Sequence, residues 1–277
     1  MIKDIVVNLS VGERACPAGD YAVSVAATFD AHVAGIAFRY DPFVPGSGAG
    51  YIPAEVFEAQ QRDNAVATNA AIARFTAASE RAGVSAEPLV LGVTFASAGD
   101  QFGHIARRFD LSVVGQAEPE TSATEDKIIE AALFDSGRPA IVVPYIQKAP
   151  LKLDRVMVCW DGSRAAARAI ADAMPFLARA GLVEVVIIVA NERNKQYEIE
   201  GADMGQHLAR HGLNVDVKRI DYGNLDVVDA LLSHAADADT DFIIMGGYGH
   251  SRLREFVLGG VTRGILQTMT APVLMSH

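Results

Sequence analysis

The sequence predicts an α/β protein made of two tandem, doubly wound parallel-sheet domains. Short apolar runs alternate with helical patterns along the whole chain, and the same order of elements occurs twice. Strands that read as nearly continuous apolar runs are typical of parallel sheets covered by helices on both faces. A length of 277 residues suits two domains of ordinary size.

In the first half, apolar runs bounded by turn residues predict five strands. The strands are Asp4–Leu9, Val33–Phe38, Ala86–Leu91, Leu111–Gly115 and Ala140–Tyr145. Helical patterns lie between them. The predicted helices are Asp20–Asp30, Pro53–Arg81, Asp100–Arg108 and Glu125–Leu133. Strand and helix therefore alternate from one end of this half to the other.

The second half has the same order of elements. The strands are Arg155–Trp160, Val183–Ala190, Val215–Ile220, Asp241–Gly246 and Pro272–His277. The helices fall near Ser163–Ala180, Tyr197–His211, Asp226–Ala236 and Val261–Thr268.

Local matches between the halves indicate a duplication with divergence. Asp110 precedes the run LSVVG in the first half, and Asp241 precedes FIIMG in the second. A short polar stretch that contains proline, QKAPLKL, separates the copies. The predicted domains are residues 1–147 and 153–277.

Composition and charge exclude several classes of protein. The net charge is −10, which argues against binding of DNA or RNA through a basic surface. No apolar run approaches the ~20 residues needed to span a bilayer, so we expect no membrane association. The two cysteines make no disulfide framework, and the N-terminus reads as a strand rather than a signal peptide. A cytoplasmic location is the expectation.

A glycine-rich stretch follows the fourth strand of the second copy. Gly246 and Gly249 lie around the end of that strand, and Gly259 and Gly260 precede a helical pattern that begins at Val261. Glycines at a strand-to-helix junction let backbone N–H groups approach phosphate oxygens, and a helix N-terminus favours an anion. The spacing is neither a Walker motif nor GxGxxG. His250 lies inside this stretch and is a candidate phosphate contact.

The pattern G-x-x-G-x9-G after a fourth parallel strand resembles the ATP-binding motif of the universal stress protein family. Further matches are DGS at Asp161–Ser163 and the apolar run from Val183 to Val189. The resemblance implies a Rossmann-like fold, ATP or ADP as ligand with Mg²⁺ as a candidate ion, and an internal pseudo-dimer of the two copies that could form a homodimer. By this likeness Asp161 lies near the ribose or a metal and Val189 near the adenine. The residues expected around the phosphates are Met245, Gly246, Gly249, Gly259, Gly260 and Val261.

Two departures from the family pattern change the expectation. ATP-binding members usually carry Ser or Thr where this chain has Gly260, so we expect an affinity lower by at most about 10- to 100-fold, because one charge-assisted hydrogen bond is missing. The first copy has no glycine loop after Gly115, and its acidic stretch TSATED would repel phosphate. We therefore expect no ATP in the first copy.

Other candidate residues favour structural interpretations. His207 and His211 lie four residues apart and could share a metal, but a solvated helix face is the favoured interpretation, since no third ligand is evident. Ser163 is expected to cap the helix that follows it. Cys16 next to Pro17 is interpreted as a turn residue.

Three functions remain open at this point. The favoured one is a nucleotide-sensing regulatory protein with little or no hydrolysis. The second is a nucleotidyl or phosphoryl transferase that uses the same loop, with Asp161 as its acid–base candidate. The third is an interaction scaffold that binds no nucleotide.

Overall fold

The computed structural model describes residues 1–11, 16–41, 54–117, 122–189, 195–221, 223, 226–247 and 260–277. Its contacts divide the chain into two compact units, Ile2–Ser136 and Gly137–His277. Both units alternate strands with helices, and all but one of the strand pairs given below are parallel, so the predicted α/β class is confirmed.

The described part of the first unit contains four strands and four helices. They are β1 (Asp4–Leu9), α1 (Pro17–Phe29), β2 (His32–Tyr40), α2 (Ala54–Ala82), β3 (Ala86–Val93), α3 (Ala98–Ala106), β4 (Leu111–Gly115) and α4 (Ser122–Phe134). The strand order is β3-β2-β1-β4, with parallel pairing throughout. Helix α1 packs against α2, and α3 packs against α4. Since connections between parallel strands are right-handed as a rule, this strand order implies one pair of helices on each face of the sheet.

Helix α1 begins three residues before its predicted start. Cys16 occupies the N-cap position and Pro17 lies in the first turn. Proline is suited to that turn because its missing N–H would have no intrahelical partner there. Cys16, interpreted from the sequence as a turn residue, therefore lies at the N-cap of α1, directly before the helix.

The second unit contains the remaining elements. They are β5 (Ala140–Val143), β6 (Arg155–Cys159), α5 (Arg164–Leu177), β7 (Leu182–Val189), α6 (Lys195–Arg210), β8 (Val215–Asp221), α7 (Val227–Asp237), β9 (Phe242–Gly246), α8 (Gly260–Thr268) and β10 (Val273–Ser276). The strand order is β5-β10-β9-β6-β7-β8. Strands β6 to β10 are parallel, and their apolar side chains form the core.

Strand β5 ends the predicted first domain but pairs with the second unit. Its partner is β10, in antiparallel register, with Ile141 opposite Leu274. The boundary between the two units therefore lies between Ser136 and Gly137, earlier in the chain than the predicted joint. This pairing joins the last strands of the two sequence repeats. The domain ranges 1–147 and 153–277 stay predictions, and so does the internal pseudo-dimer.

The two aspartates matched in sequence make the same contact. The Asp110 carboxylate accepts the N–H of Asp4 at 3.1 Å, and Asp241 accepts the N–H of Arg155 at 2.9 Å. Each aspartate precedes the fourth strand of its repeat and holds the start of the first strand beside it. A buried or half-buried hydrogen bond to a charged acceptor contributes about 1.5–3 kcal/mol.

Across the described ranges, no helix combines the length and the apolar character that crossing a membrane requires.

Candidate functional site

The sheet of the second unit has a switch point between β6 and β9. These strands are neighbours, and the chain continues from β6 towards β7 and β8 on one side, whereas β10 lies beside β9 on the other. All these strands are parallel, so their carboxyl ends share one edge. In open α/β sheets, ligands bind outside that edge at the switch point.

The turn after β6 presents Asp161 at this edge. The Asp161 Oδ1 atom accepts the N–H of Ser163 at 2.9 Å, and Gly162 between them has a φ of +74°. Ser163 Oγ in turn accepts the N–H of Ala166 at 3.1 Å, so the predicted helix cap is confirmed. The Asp161 side chain is exposed. The turn therefore fixes a solvent-facing carboxylate directly before the N-terminus of α5.

Gly246, at the end of β9, packs directly against the first turn of α5. A Cβ atom at this position would lie 2.6 Å from the carbonyl carbon of Ala165 and 2.9 Å from its Cβ, and it would also overlap the backbone nitrogen of Ala166. No larger residue fits without moving the helix. This packing alone requires glycine at position 246, whether or not a phosphate binds nearby.

The next peptide is held by β10. The Gly247 N–H donates to the carbonyl of Ser276 at 2.8 Å, and the Nδ1 atom of His277 donates to the Gly247 carbonyl at 3.1 Å. The Gly247 N–H is thus already used within the protein. The sequence analysis did not predict Gly247 or His277 as site residues. Their one signal in the sequence is that Gly247 directly follows β9 and His277 directly follows β10.

Helix α8 begins at Gly260, which is open to solvent. A Cβ atom there would meet nothing within 4 Å, and Val261 is 38% exposed. The helix is fixed from its other side, because Gly264 approaches Val228 of α7 so closely that a Cβ would lie 2.7 Å from Val228 Cγ2. The first N–H groups of a helix have no intrahelical partners. Among the described residues, none blocks the space beside Gly260 at the N-terminus of α8.

The other predicted site residues are placed as follows. Met245 is 5% exposed, so its side chain belongs to the core. Val189 ends β7, opposite Asp221 of β8. Gly249, His250 and Gly259 lie outside the described residues.

Cys159, the last residue of β6, is unsuited to nucleophilic chemistry. Burial raises the pKa of its thiol to about 12, and the negative charge of Asp161 contributes in the same direction. The thiol is therefore protonated at neutral pH, and the protonated form is a poor nucleophile.

The equivalent edge of the first unit has a different composition. In the first unit, Ile5 of β1 pairs with Leu111 of β4, and in the second unit Val156 of β6 pairs with Phe242 of β9. If these two pairs are taken as equivalent, Ser10 corresponds to Asp161 and Gln116 corresponds to Gly247. Gln116 is only 4% exposed. This edge thus lacks both the carboxylate and the second glycine.

A negative charge also lies near the edge of the first unit. The pKa of Tyr40, at the end of β2, is raised to about 12 by burial first and by the charge of Glu125 second. Glu125 belongs to the first turn of α4. An acidic side chain at this place opposes the approach of phosphate.

Comparisons with known proteins agree with the fold of the chain. Residues 152–277 match the model of the universal stress protein family. These residues therefore form a universal stress protein domain. The universal stress protein Slr1230 of Synechocystis sp. (strain ATCC 27184 / PCC 6803 / Kazusa) is 24% identical over 178 residues, which cover 60% of the chain. The chain spans 57% of the length of that relative.

Solved structures match the chain over nearly its whole length. A universal stress protein from Archaeoglobus fulgidus DSM 4304 gives a TM-score of 0.72 at 15% identity, covering 99% of this chain and 97% of that one. A putative universal stress protein from Pseudomonas aeruginosa UCBPP-PA14 gives 0.65 at 14% identity, covering 99% and 93%. At this identity the similarity shows the fold, which both halves of the chain share with these proteins.

Proposed function

We propose that this stress-response protein is a regulatory ATP-binding protein, with one nucleotide bound by residues 153–277 and little or no hydrolysis. The observation that carries the proposal is the pairing of a fixed carboxylate with an open helix N-terminus at the switch point. Asp161 follows β6, and Gly260 begins α8, the next described element after β9. A carboxylate can accept a hydrogen bond from a sugar hydroxyl, and the amides at a helix N-terminus can donate hydrogen bonds to a phosphate.

The donors for the phosphates are expected in α8. The N–H of Gly247 donates to Ser276, so it is not the main phosphate contact. The first-turn amides of α8, beginning at Gly260 and Val261, lie at an exposed helix N-terminus, which carries a partial positive charge. Asp161 supplies a carboxylate oxygen of the kind that Mg²⁺ prefers.

Slow hydrolysis is part of the proposal because the polar groups after β6 already have structural roles. Asp161 Oδ1 accepts the N–H of Ser163, and Ser163 Oγ accepts the N–H of Ala166. The Cys159 thiol is protonated, so a covalent thiolate intermediate is disfavoured. We accordingly favour a sensor over a transferase.

One nucleotide per chain is proposed because the first unit offers less to a phosphate. Ser10 stands in place of Asp161, Gln116 stands in place of Gly247, and Glu125 adds a negative charge. We also propose a cytoplasmic location, from the cysteine content, and a homodimer, from the family resemblance.

Equilibrium dialysis with radiolabelled ATP tests this function. Asp161→Ala removes an acceptor of charge-assisted hydrogen bonds, so we expect an affinity lower by about 10- to 100-fold. Ser10→Ala changes the equivalent position of the first unit and is the matched control, with no expected effect. Absence of binding by the unchanged protein at millimolar ATP would refute the proposal. An equal loss in both variants would refute the assignment to the second unit.

A further inference from the structure

The exposed face of α6 carries two histidines whose rings are in contact. His207 and His211 are four residues apart, so their side chains lie one above the other on the same face of the helix. Their ring centres are 4.8 Å apart with an angle of 71° between the planes. Both residues are exposed, and neither has a hydrogen bond or ion pair with another residue of the described part of the chain.

The separation of the rings matches that of a chelate. A metal bonded to an imidazole nitrogen at about 2.0–2.1 Å lies about 3.2 Å from the ring centre. Two such rings at a ligand–metal–ligand angle of about 90–110° have centres about 4.5–5.2 Å apart. The observed distance of 4.8 Å lies inside this range, so the spacing of the two rings suits a common ion once the side chains turn one nitrogen of each ring towards it.

We propose that His207 and His211 form a two-histidine site for a divalent late first-row transition ion, such as Ni²⁺, Cu²⁺ or Zn²⁺. Imidazole nitrogen suits these ions and discriminates against Mg²⁺, which prefers oxygen. Within the described ranges, no group of three or more potential ligands is close enough to hold an ion. The remaining coordination positions are therefore filled by water or by an added ligand.

The charges around the histidine pair are mixed. Asp203 precedes His207 by four residues on the same helix, is exposed and adds a negative charge, whereas the exposed Arg210 next to His211 adds a positive one. The whole chain has a net charge of −10. Once one imidazole has bound the ion, the second imidazole is held close to the same ion by the helix. The affinity of the pair for the ion is therefore higher than that of a single exposed histidine.

Isothermal titration of the full chain with NiCl₂ and with ZnCl₂ tests the site. We expect one ion per chain and an affinity at least tenfold lower in His207→Gln and in His211→Gln. Both positions are exposed, so circular dichroism should show an unchanged fold. His104→Gln, at a lone exposed histidine of α3, is the control and should bind as the unchanged protein does. An excess of Mg²⁺ should not compete.

A spacing variant separates chelation from the mere presence of histidines. The double change Gln206→His with His207→Gln keeps the number of histidines but separates them by five residues, so their side chains diverge around the helix. We expect this variant to bind as weakly as the single variants. Binding that survives in it, that falls equally in His104→Gln, or that is absent from the unchanged protein would each overturn the proposal.

Discussion

The effect of a hydroxyl at position 260 is a direct test of how this site holds phosphate. Gly260 begins α8, its side-chain direction is open for 4 Å, and its backbone is not in the left-handed region. Gly260→Ser can therefore be accommodated without strain. A hydroxyl at the N-terminus of α8 would donate one hydrogen bond to a charged phosphate oxygen, which contributes about 1.5–3 kcal/mol.

The expected gain is an ATP affinity higher by about 10- to 100-fold. Gly260→Ala is the matched control, because it makes the same change in backbone freedom, about 0.5–1 kcal/mol of helix stability, without adding a hydroxyl. Dissociation constants of the three proteins from equilibrium dialysis measure the difference. If Gly260→Ser binds ATP no more tightly than Gly260→Ala, the N-terminus of α8 does not contact the phosphates.

Three further predictions concern the second unit. Gly246→Ala should lower the free energy of unfolding by about 1–3 kcal/mol in urea denaturation, because its Cβ overlaps Ala165; a midpoint equal to that of the unchanged protein would contradict this. Asp241→Ala should lower it by a similar amount, since the N–H of Arg155 loses its acceptor, and Asp241→Asn should retain part of the stability. At pH 8.5, peptide mapping after treatment with iodoacetamide should find Cys159 unmodified in the folded protein and modified in denaturant, because the folded pKa is about 12; rapid modification of the folded protein would contradict this.

Much of the fold follows from local sequence because its central strands are apolar on both faces. The run Phe242–Gly246 could be found by composition alone, since a parallel strand buried on both sides needs no polar residue. The ends of the helices follow less directly from the sequence than the strands do. The start of α1 was placed at Asp20, whereas the helix begins at Pro17, because the sequence Cys-Pro reads equally well as a turn and as a first helical turn.

The site depends more on contacts between residues distant in sequence. The bond from His277 to Gly247 joins residues 30 positions apart and follows from the register of β9 and β10, which no local pattern specifies. Gly246 was predicted for its role towards phosphate, yet its packing against Ala165 gives an independent reason for glycine there. A glycine motif alone cannot separate these two reasons.

The stoichiometry of ATP binding to the full chain tests the central claim most directly. Isothermal titration should give one ATP per chain, with that single site weakened by Asp161→Ala and unchanged by Ser10→Ala. Two equivalent sites per chain, or no heat of binding at millimolar ATP, would contradict a nucleotide site confined to the second unit.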